Sequence, residues 1–173
     1  DIRAEGTSQD RDDRGYDQFN HGLGVGDVNG NGLADIVEKN GWWEQPAAGA
    51  KSGPWQFHRV PFAPAAGGAQ MLIYDLDGDG LNDIITSKNA HGYGLVWFKQ
   101  LGGGDGGEVA FEEHLIMGET PEENDYGVAF SQLHALALVD IDGDGVDDIV
   151  TGKRFWAHSD HDPGSLDPAV LYW

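Results

Sequence analysis

A short acidic loop occurs three times in this chain, and it constrains the fold more than any other feature. The copy at 140–148 reads D-I-D-G-D-G-V-D-D, with aspartates at positions 1, 3, 5 and 9. Four carboxylates this close together repel one another unless a cation lies among them. The glycines between them let the backbone turn tightly enough to direct the carboxylates inward. The loop therefore predicts a bound cation, and hard oxygen ligands favour Ca²⁺.

Two further copies have the same spacing, so we name the first (27–35), second (75–83) and third (140–148) loops. The predicted Ca²⁺ ligands are the side chains at positions 1, 3, 5 and 9 and the backbone carbonyl at position 7, with water completing the shell. These are Asp27, Asn29, Asn31, Leu33 and Asp35; Asp75, Asp77, Asp79, Leu81 and Asp83; and Asp140, Asp142, Asp144, Val146 and Asp148. The first loop carries two amides in place of carboxylates, and a solvated Asp-Gly turn without metal is the alternative for each loop.

The segments around the loops predict β-strands. An inner strand precedes each loop, at 21–26, 70–74 and 133–139, and a second strand follows it. β-branched and aromatic residues dominate the periodic segments, and no helical stretch stands out. An EF-hand is a rival interpretation of the first loop, since Asp27 and Glu38 lie at positions 1 and 12. The matching residues in the other loops are Thr86 and Thr151, and strand-forming sequence follows, so strands are favoured.

The pattern D-x-D-G-D-G-x-x-D-I after an apolar strand resembles the FG-GAP or VCBS repeat of integrin-type β-propellers, from about Phe19 onward. The resemblance implies an all-β fold, a β-propeller of four-stranded antiparallel blades with Ca²⁺ in the loop after each first strand. About three blades would lie at 19–62, 68–118 and 131–173, the last one incomplete, after a polar strap or linker at 1–18. Three blades do not close a ring, so we expect a partial propeller whose other blades come from a longer chain or an oligomer.

Composition excludes several kinds of partner. The 173 residues carry a formal net charge of −20, which argues against nucleic acid and anionic membrane surfaces. No run of 18 apolar residues is present, so membrane insertion is not expected. There is no cysteine, which excludes thiol chemistry. Calcium modules of this type suit extracellular fluid, so we expect a secreted, cell-surface or periplasmic protein.

The histidines predict a second site at the other end of the strands. His21 and His134 each lie six residues before a loop, which is about 20 Å along a strand. The turns after the second strands return to the same end and bring further candidates. The predicted ligand-binding set is His21, His91, Tyr93, His134, Arg154, Trp156, His158 and His161.

Three interpretations of this histidine set remain open. Aromatic rings beside lysine and arginine suit a sugar acid or another anionic ligand. The H-x-x-H pair at His158 and His161, with Asp160 and Asp162 nearby, suits a transition metal. The simplest interpretation is that the histidines form hydrogen bonds to backbone in turns.

The predicted function is that of a Ca²⁺-binding scaffold module that binds an unidentified partner, either a glycan or a protein. No catalytic residue is assigned, and a non-enzymatic role is favoured. The alternative is a carbohydrate-active enzyme, since such propellers resemble those of some polysaccharide lyases. That resemblance would give His91, His134 and Arg154 the roles of proton transfer and binding of the substrate carboxylate. Analogy with integrin heads would suggest an adhesion partner, but that rests on fold alone.

Overall fold

A computed structural model of the chain describes residues 21–64, 67–102 and 108–173. Within these ranges the chain forms three antiparallel sheets and no α-helix, so the all-β prediction is confirmed. The predicted strap at 1–18 lies outside the described residues. None of the helical turns in the described part of the chain has the length and apolar character needed to cross a bilayer.

The strands of each sheet follow one another in sequence order. Sheet 1 contains β1 (Leu23–Gly26), β2 (Asp35–Glu38), β3 (Gly41–Glu44) and β4 (Gln56–Arg59). Sheet 2 contains β5 (Leu72–Tyr74), β6 (Asp83–Ser87), β7 (Leu95–Gln100) and β8 (Phe111–Met117). Sheet 3 contains β9 (Leu136–Val139), β10 (Asp148–Lys153) and β11 (Val170–Tyr172). Single 3₁₀ turns lie at Pro121–Glu123 and Ala157–Asp160.

The first strand of each sheet begins two or three residues later than the sequence predicts. The segment before β9 shows why, because its polar groups bond outside the strand ladder. Gln132 has a left-handed backbone with φ of 63°, and its N–H donates to the carbonyl of Gly92. The ring of His134 then bonds back to the carbonyl of Gln132. His134 therefore belongs to the turn before the strand.

Two hydrophobic cores separate the three sheets. Alternate residues of a strand point to opposite faces, so Ile84 of β6 packs toward sheet 1 and Ile85 packs toward sheet 3. The core between sheets 1 and 2 contains Val28, Val37, Trp42, Phe62, Met71, Ile84, Val96 and Phe98. The core between sheets 2 and 3 contains Ala69, Ile85, Leu95, Met117, Phe130, Leu133 and Leu136. Sheet 2 is therefore the middle layer and is covered on both faces.

The sheets also meet along their first strands, since β1 contacts β5 and β5 contacts β9. The backbone N–H of Met71 donates to the carbonyl of Leu23 at 3.1 Å, which joins sheet 2 directly to sheet 1. The outward faces of the two outer sheets carry exposed apolar side chains, among them Leu23 and Val25 of β1 and Leu171 of β11. The loops that follow β1, β5 and β9 are the three acidic loops.

Candidate functional site

Each acidic loop is shaped by its first aspartate. In the second loop the carboxylate of Asp75 accepts hydrogen bonds from the N–H groups of Gly78, Asp79 and Gly80 at 2.9, 3.0 and 2.9 Å. Gly78 and Gly80 have φ of 75° and 90°, values that residues with a Cβ rarely adopt. Asp27 makes the three corresponding bonds in the first loop, and Asp140 makes two of them, with Gly143 and Gly145, in the third loop. The three loops therefore share one backbone shape.

The ninth residue of the first and of the second loop anchors that loop to its sheet. Asp83 is fully buried and accepts hydrogen bonds from the N–H groups of Leu76 at 3.0 Å and Gln100 at 2.8 Å. Asp35 of the first loop does the same with Val28 and Gln45. Burial raises the pKa of Asp35, while these two backbone bonds act in the opposite direction. The anchor thus fixes one carboxylate at the base of the first and second loops, whereas Asp148 of the third loop accepts a hydrogen bond from the N–H of Ile141 within the loop.

In the second and third loops the carboxylates at positions 1 and 3 lie close to the carboxylate at position 9. Oxygen atoms of Asp75, Asp77 and Asp83 all lie within 4.8 Å of one another. The same holds for Asp140, Asp142 and Asp148 in the third loop. Clustered carboxylate oxygens on a glycine-containing turn are the donors that Ca²⁺ takes, so the residues present fit that ion.

Sequence reasoning missed two charged side chains that reach these loops from the third strand of their own sheet. Lys99 of β7 extends into the second loop, where its ammonium bonds to Asp77 and lies 2.9 Å from a carboxylate oxygen of Asp79. These bonds raise the pKa of Lys99 and lower the pKa of Asp79. Glu44 of β3 accepts a hydrogen bond from the amide of Asn29 in the first loop at 3.0 Å.

In both sheets, the isoleucine that follows the acidic loop pairs with a residue of the third strand. Glu44 and Lys99 are the residues directly after that partner, so they occupy equivalent positions. The first loop, which has two amides, thus gains a carboxylate from Glu44. The second loop, which has four carboxylates, gains an ammonium from Lys99. Counting these partners, both loops carry three formal negative charges. In the described residues no lysine or arginine forms such an ion pair with the third loop. Comparing the two repeats position by position is the sequence signal that would have found this exchange.

The first two loops are also neighbours. The side-chain amide of Asn82 in the second loop donates to the backbone carbonyl of Asp27 in the first loop at 2.7 Å. The acidic loops of sheets 1 and 2 therefore lie side by side at one end of the stacked sheets.

Four of the predicted histidines lie together at the end of the sheets opposite the acidic loops. His21 and His134 precede β1 and β9, His91 follows β6, and His158 follows β10. The ring centroids of His91 lie 4.9 Å from His21, 5.3 Å from His134 and 4.1 Å from His158. We call these four residues the histidine cluster; all three sheets contribute to it.

Hydrogen bonds orient the rings of the histidine cluster. The carboxylate of Asp162 contacts Nδ1 of His91 at 3.0 Å and also bonds to Nδ1 of His158. Nδ1 of His134 lies 3.1 Å from the carbonyl of Gln132. Nε2 of His91 and Nε2 of His21 are 3.0 Å apart. The cluster is therefore joined at its centre by ring nitrogens and held at its edge by oxygen acceptors.

The histidine cluster borders a pocket of about 400 Å³, which is also lined by Gln132, Lys153 and Arg154. Burial lowers the pKa of His134, the hydrogen bond to the carbonyl of Gln132 opposes this shift, and the neighbouring His91, His158 and Arg154 lower the pKa further. The neutral form of the His134 ring is therefore favoured. Lys153 donates to the carbonyls of Gly164 and Asp167, so its ammonium is already used in fixing a loop.

Other residues of the predicted set lie elsewhere. His161 points into solvent, with 84% of its side chain exposed and a carboxylate oxygen of Asp160 3.8 Å from its Nδ1. Trp156 is also exposed, and the hydroxyl of Tyr93 faces Gly164. The turn that carries His158 has left-handed backbone angles at Trp156, His158, Ser159 and Asp160. This turn directs His158 toward His91 and leaves His161 outside.

Comparisons with known proteins assign no family to the chain. No model of a known protein family matches it, and no curated protein is detectably similar to it.

Proposed function

We propose that this chain is a Ca²⁺-binding β-propeller segment that serves as a scaffold module in a secreted or surface-exposed protein. One observation carries the proposal: three loops with the same backbone hydrogen bonds occupy the same place in three consecutive sheets. Carboxylate oxygens converge in the second and third loops, and Glu44 supplies a further carboxylate at the first loop.

The arrangement of the sheets supports the propeller part of the proposal. The first strands lie side by side, the later strands follow in order, and a core fills each gap between sheets. Exposed apolar side chains on the outer faces suit cover by further sheets of the same kind. In this arrangement the ions would neutralise the loops and fix the turns that join the first and second strands.

Removal of Ca²⁺ with a selective chelator is expected to lower the melting temperature. An ion present at about a hundred times its Kd stabilises the folded state by about 2.7 kcal/mol, which corresponds to about 5–10 °C for a chain of this size. Thermal unfolding followed by circular dichroism with and without Ca²⁺ measures the effect.

Alanine variants at position 3 of two different loops test whether the carboxylates are responsible for this rise in melting temperature. Asp142 and Asn29 each accept one hydrogen bond from the N–H two residues later, so Asp142→Ala and Asn29→Ala lose the same backbone contact. Only Asp142→Ala loses a charge, and we expect it to reduce the Ca²⁺-dependent rise in melting temperature more. Glu122→Ala, an exposed change outside the loops, serves as control. A rise that both loop variants leave intact would contradict a structural role for the metal.

Lys99→Gln is expected to strengthen Ca²⁺ binding at the second loop by about tenfold, because an entering ion no longer competes with an ammonium for Asp77 and Asp79. Isothermal titration calorimetry on the variant and the unmodified chain measures the change. Lys88→Gln is the matched control, since Lys88 pairs with Glu113 away from the loops. Unchanged or weaker binding by Lys99→Gln would show that this loop does not hold the ion.

A further inference from the structure

We propose that His21, His91 and His134 form a binding site for a divalent transition-metal ion of the Zn²⁺ class, with Asp162 orienting His91. Candidate ligand nitrogens of these three residues all lie within 4.8 Å of one another. Tetrahedral Zn²⁺ with bonds of about 2.0–2.1 Å separates its nitrogen ligands by about 3.3 Å. The observed 3.0 Å between Nε2 of His21 and Nε2 of His91 is close to that separation.

The hydrogen bonds of two rings leave their Nε2 atoms as electron-pair donors. An ionised carboxylate only accepts hydrogen bonds, so Nδ1 of His91 carries the proton that faces Asp162. A carbonyl likewise only accepts, so Nδ1 of His134 carries the proton that faces Gln132. In a neutral imidazole the other nitrogen then has a lone pair. Metal-binding histidines in proteins are typically held in this way, by an acceptor at the nitrogen that faces away from the metal.

A hydrogen-bonded cluster without metal explains this arrangement less well. Nε2 of His91 faces Nε2 of His21 at 3.0 Å, and one ring nitrogen from each of His21, His91 and His134 lies within 4.8 Å of the others. A proton on Nε2 of His21 could satisfy only one of the two lone pairs on His91 and His134. A divalent ion accepts both lone pairs at once.

The surroundings leave room for a further ligand. The pocket of about 400 Å³ opens beside His21 and His134 and gives a route for the ion and a position for water or an anion. Arg154 lines the same pocket. His158 shares Asp162 with His91 and lies beside the three ligands, so it is placed to contact whatever occupies the open position.

This metal set differs from the one that the H-x-x-H spacing suggests. His161 is turned outward, and His21 and His134 come from segments before β1 and β9, far away in sequence. Imidazole ligands favour Zn²⁺, Cu²⁺ and Ni²⁺, whereas carboxylate loops favour Ca²⁺. The histidine site and the acidic loops should therefore bind different ions independently.

The test is a Zn²⁺ titration of untagged protein that has been stripped of metal and then kept in millimolar Ca²⁺, which fills the carboxylate sites. We expect one ion per chain. His91→Ala and His134→Ala should each weaken binding by about a hundredfold or more, and Asp162→Asn by about 10- to 100-fold, as for other residues that orient a ligand. His114→Ala is the matched control, because this histidine stacks on Trp97 of β7 outside the cluster; it should leave Zn²⁺ affinity unchanged.

Thermal unfolding in Ca²⁺ without Zn²⁺ checks that each variant folds, and His134→Gln replaces His134→Ala if the alanine variant does not. The visible spectrum of bound Co²⁺ gives a second readout, since nitrogen coordination of low symmetry intensifies its bands and loss of His134 should abolish them. The proposal is overturned if the protein takes up no Zn²⁺, if His134→Ala leaves the affinity intact, or if His161→Ala removes binding instead.

Discussion

Phe62→Ala is expected to lower the free energy of unfolding by about 3–5 kcal/mol. Phe62 follows β4 and is completely buried in the core between sheets 1 and 2. Its ring lies edge-on to Phe98 and Phe111, with centroid distances of 5.0 and 5.2 Å. Alanine would remove these contacts and leave a cavity between two sheets whose backbones cannot both move inward. A domain of this size is typically stable by only about 5–15 kcal/mol, so the loss is severe.

Denaturant titration of the Phe62→Ala variant in the presence of Ca²⁺ measures this loss. Phe155→Ala is the matched control, because Phe155 is 59% exposed and its removal should change stability by less than about 0.5 kcal/mol. A loss of under about 1 kcal/mol for Phe62→Ala would mean that sheets 1 and 2 do not pack as described.

Gly24→Ala is expected to cost about 3 kcal/mol, at the upper end for overpacking a core. A Cβ at Gly24 would lie 2.1 Å from the carbonyl oxygen of Met71 and 2.9 Å from Cδ1 of Ile73. A side chain can rotate away from such a contact, but the carbonyl of Met71 belongs to the backbone that leads into β5. The added methyl group would push β1 and β5 apart and stretch the hydrogen bond from Met71 to Leu23.

Gly53→Ala is the matched control for this second prediction. A Cβ at Gly53 meets nothing within 4 Å, and its φ is not in the left-handed region. Alanine there should leave stability unchanged or raise it slightly, since it restricts the unfolded chain. If Gly24→Ala unfolds at the same denaturant concentration as Gly53→Ala, the close approach of β1 and β5 is wrong.

The repeated loop predicts most of the fold because it encodes backbone geometry locally. Glycines at fixed places permit the turn, and the aspartate at position 9 supplies the anchor, as Asp83 shows. A second strand is predicted after each loop, and β2, β6 and β10 confirm it. These inferences need only neighbours in sequence, so they succeed without knowledge of how the sheets pack.

What the sequence could not predict depends on contacts between distant segments. The ammonium of Lys99 reaches the second loop from β7, the third strand of its sheet, and only a comparison of the first two repeats, not the neighbours of Lys99 in sequence, indicates it. Asp162 acquires its role from His91, which is 71 residues away in sequence. The spacing of His158 and His161 suggested a pair that could hold one transition metal, but the left-handed backbone at 158–160 separates the two side chains.

The covered position of sheet 2 has a consequence for how the molecule opens. Every residue of β6 is buried, whereas β10 is largely half-exposed and β1 presents exposed apolar side chains. Brief local openings need the least energy where few contacts are lost. Amide hydrogens should therefore exchange with solvent first in sheets 1 and 3 and last in sheet 2. Local unfolding would then begin in the two outer sheets and reach the middle sheet last.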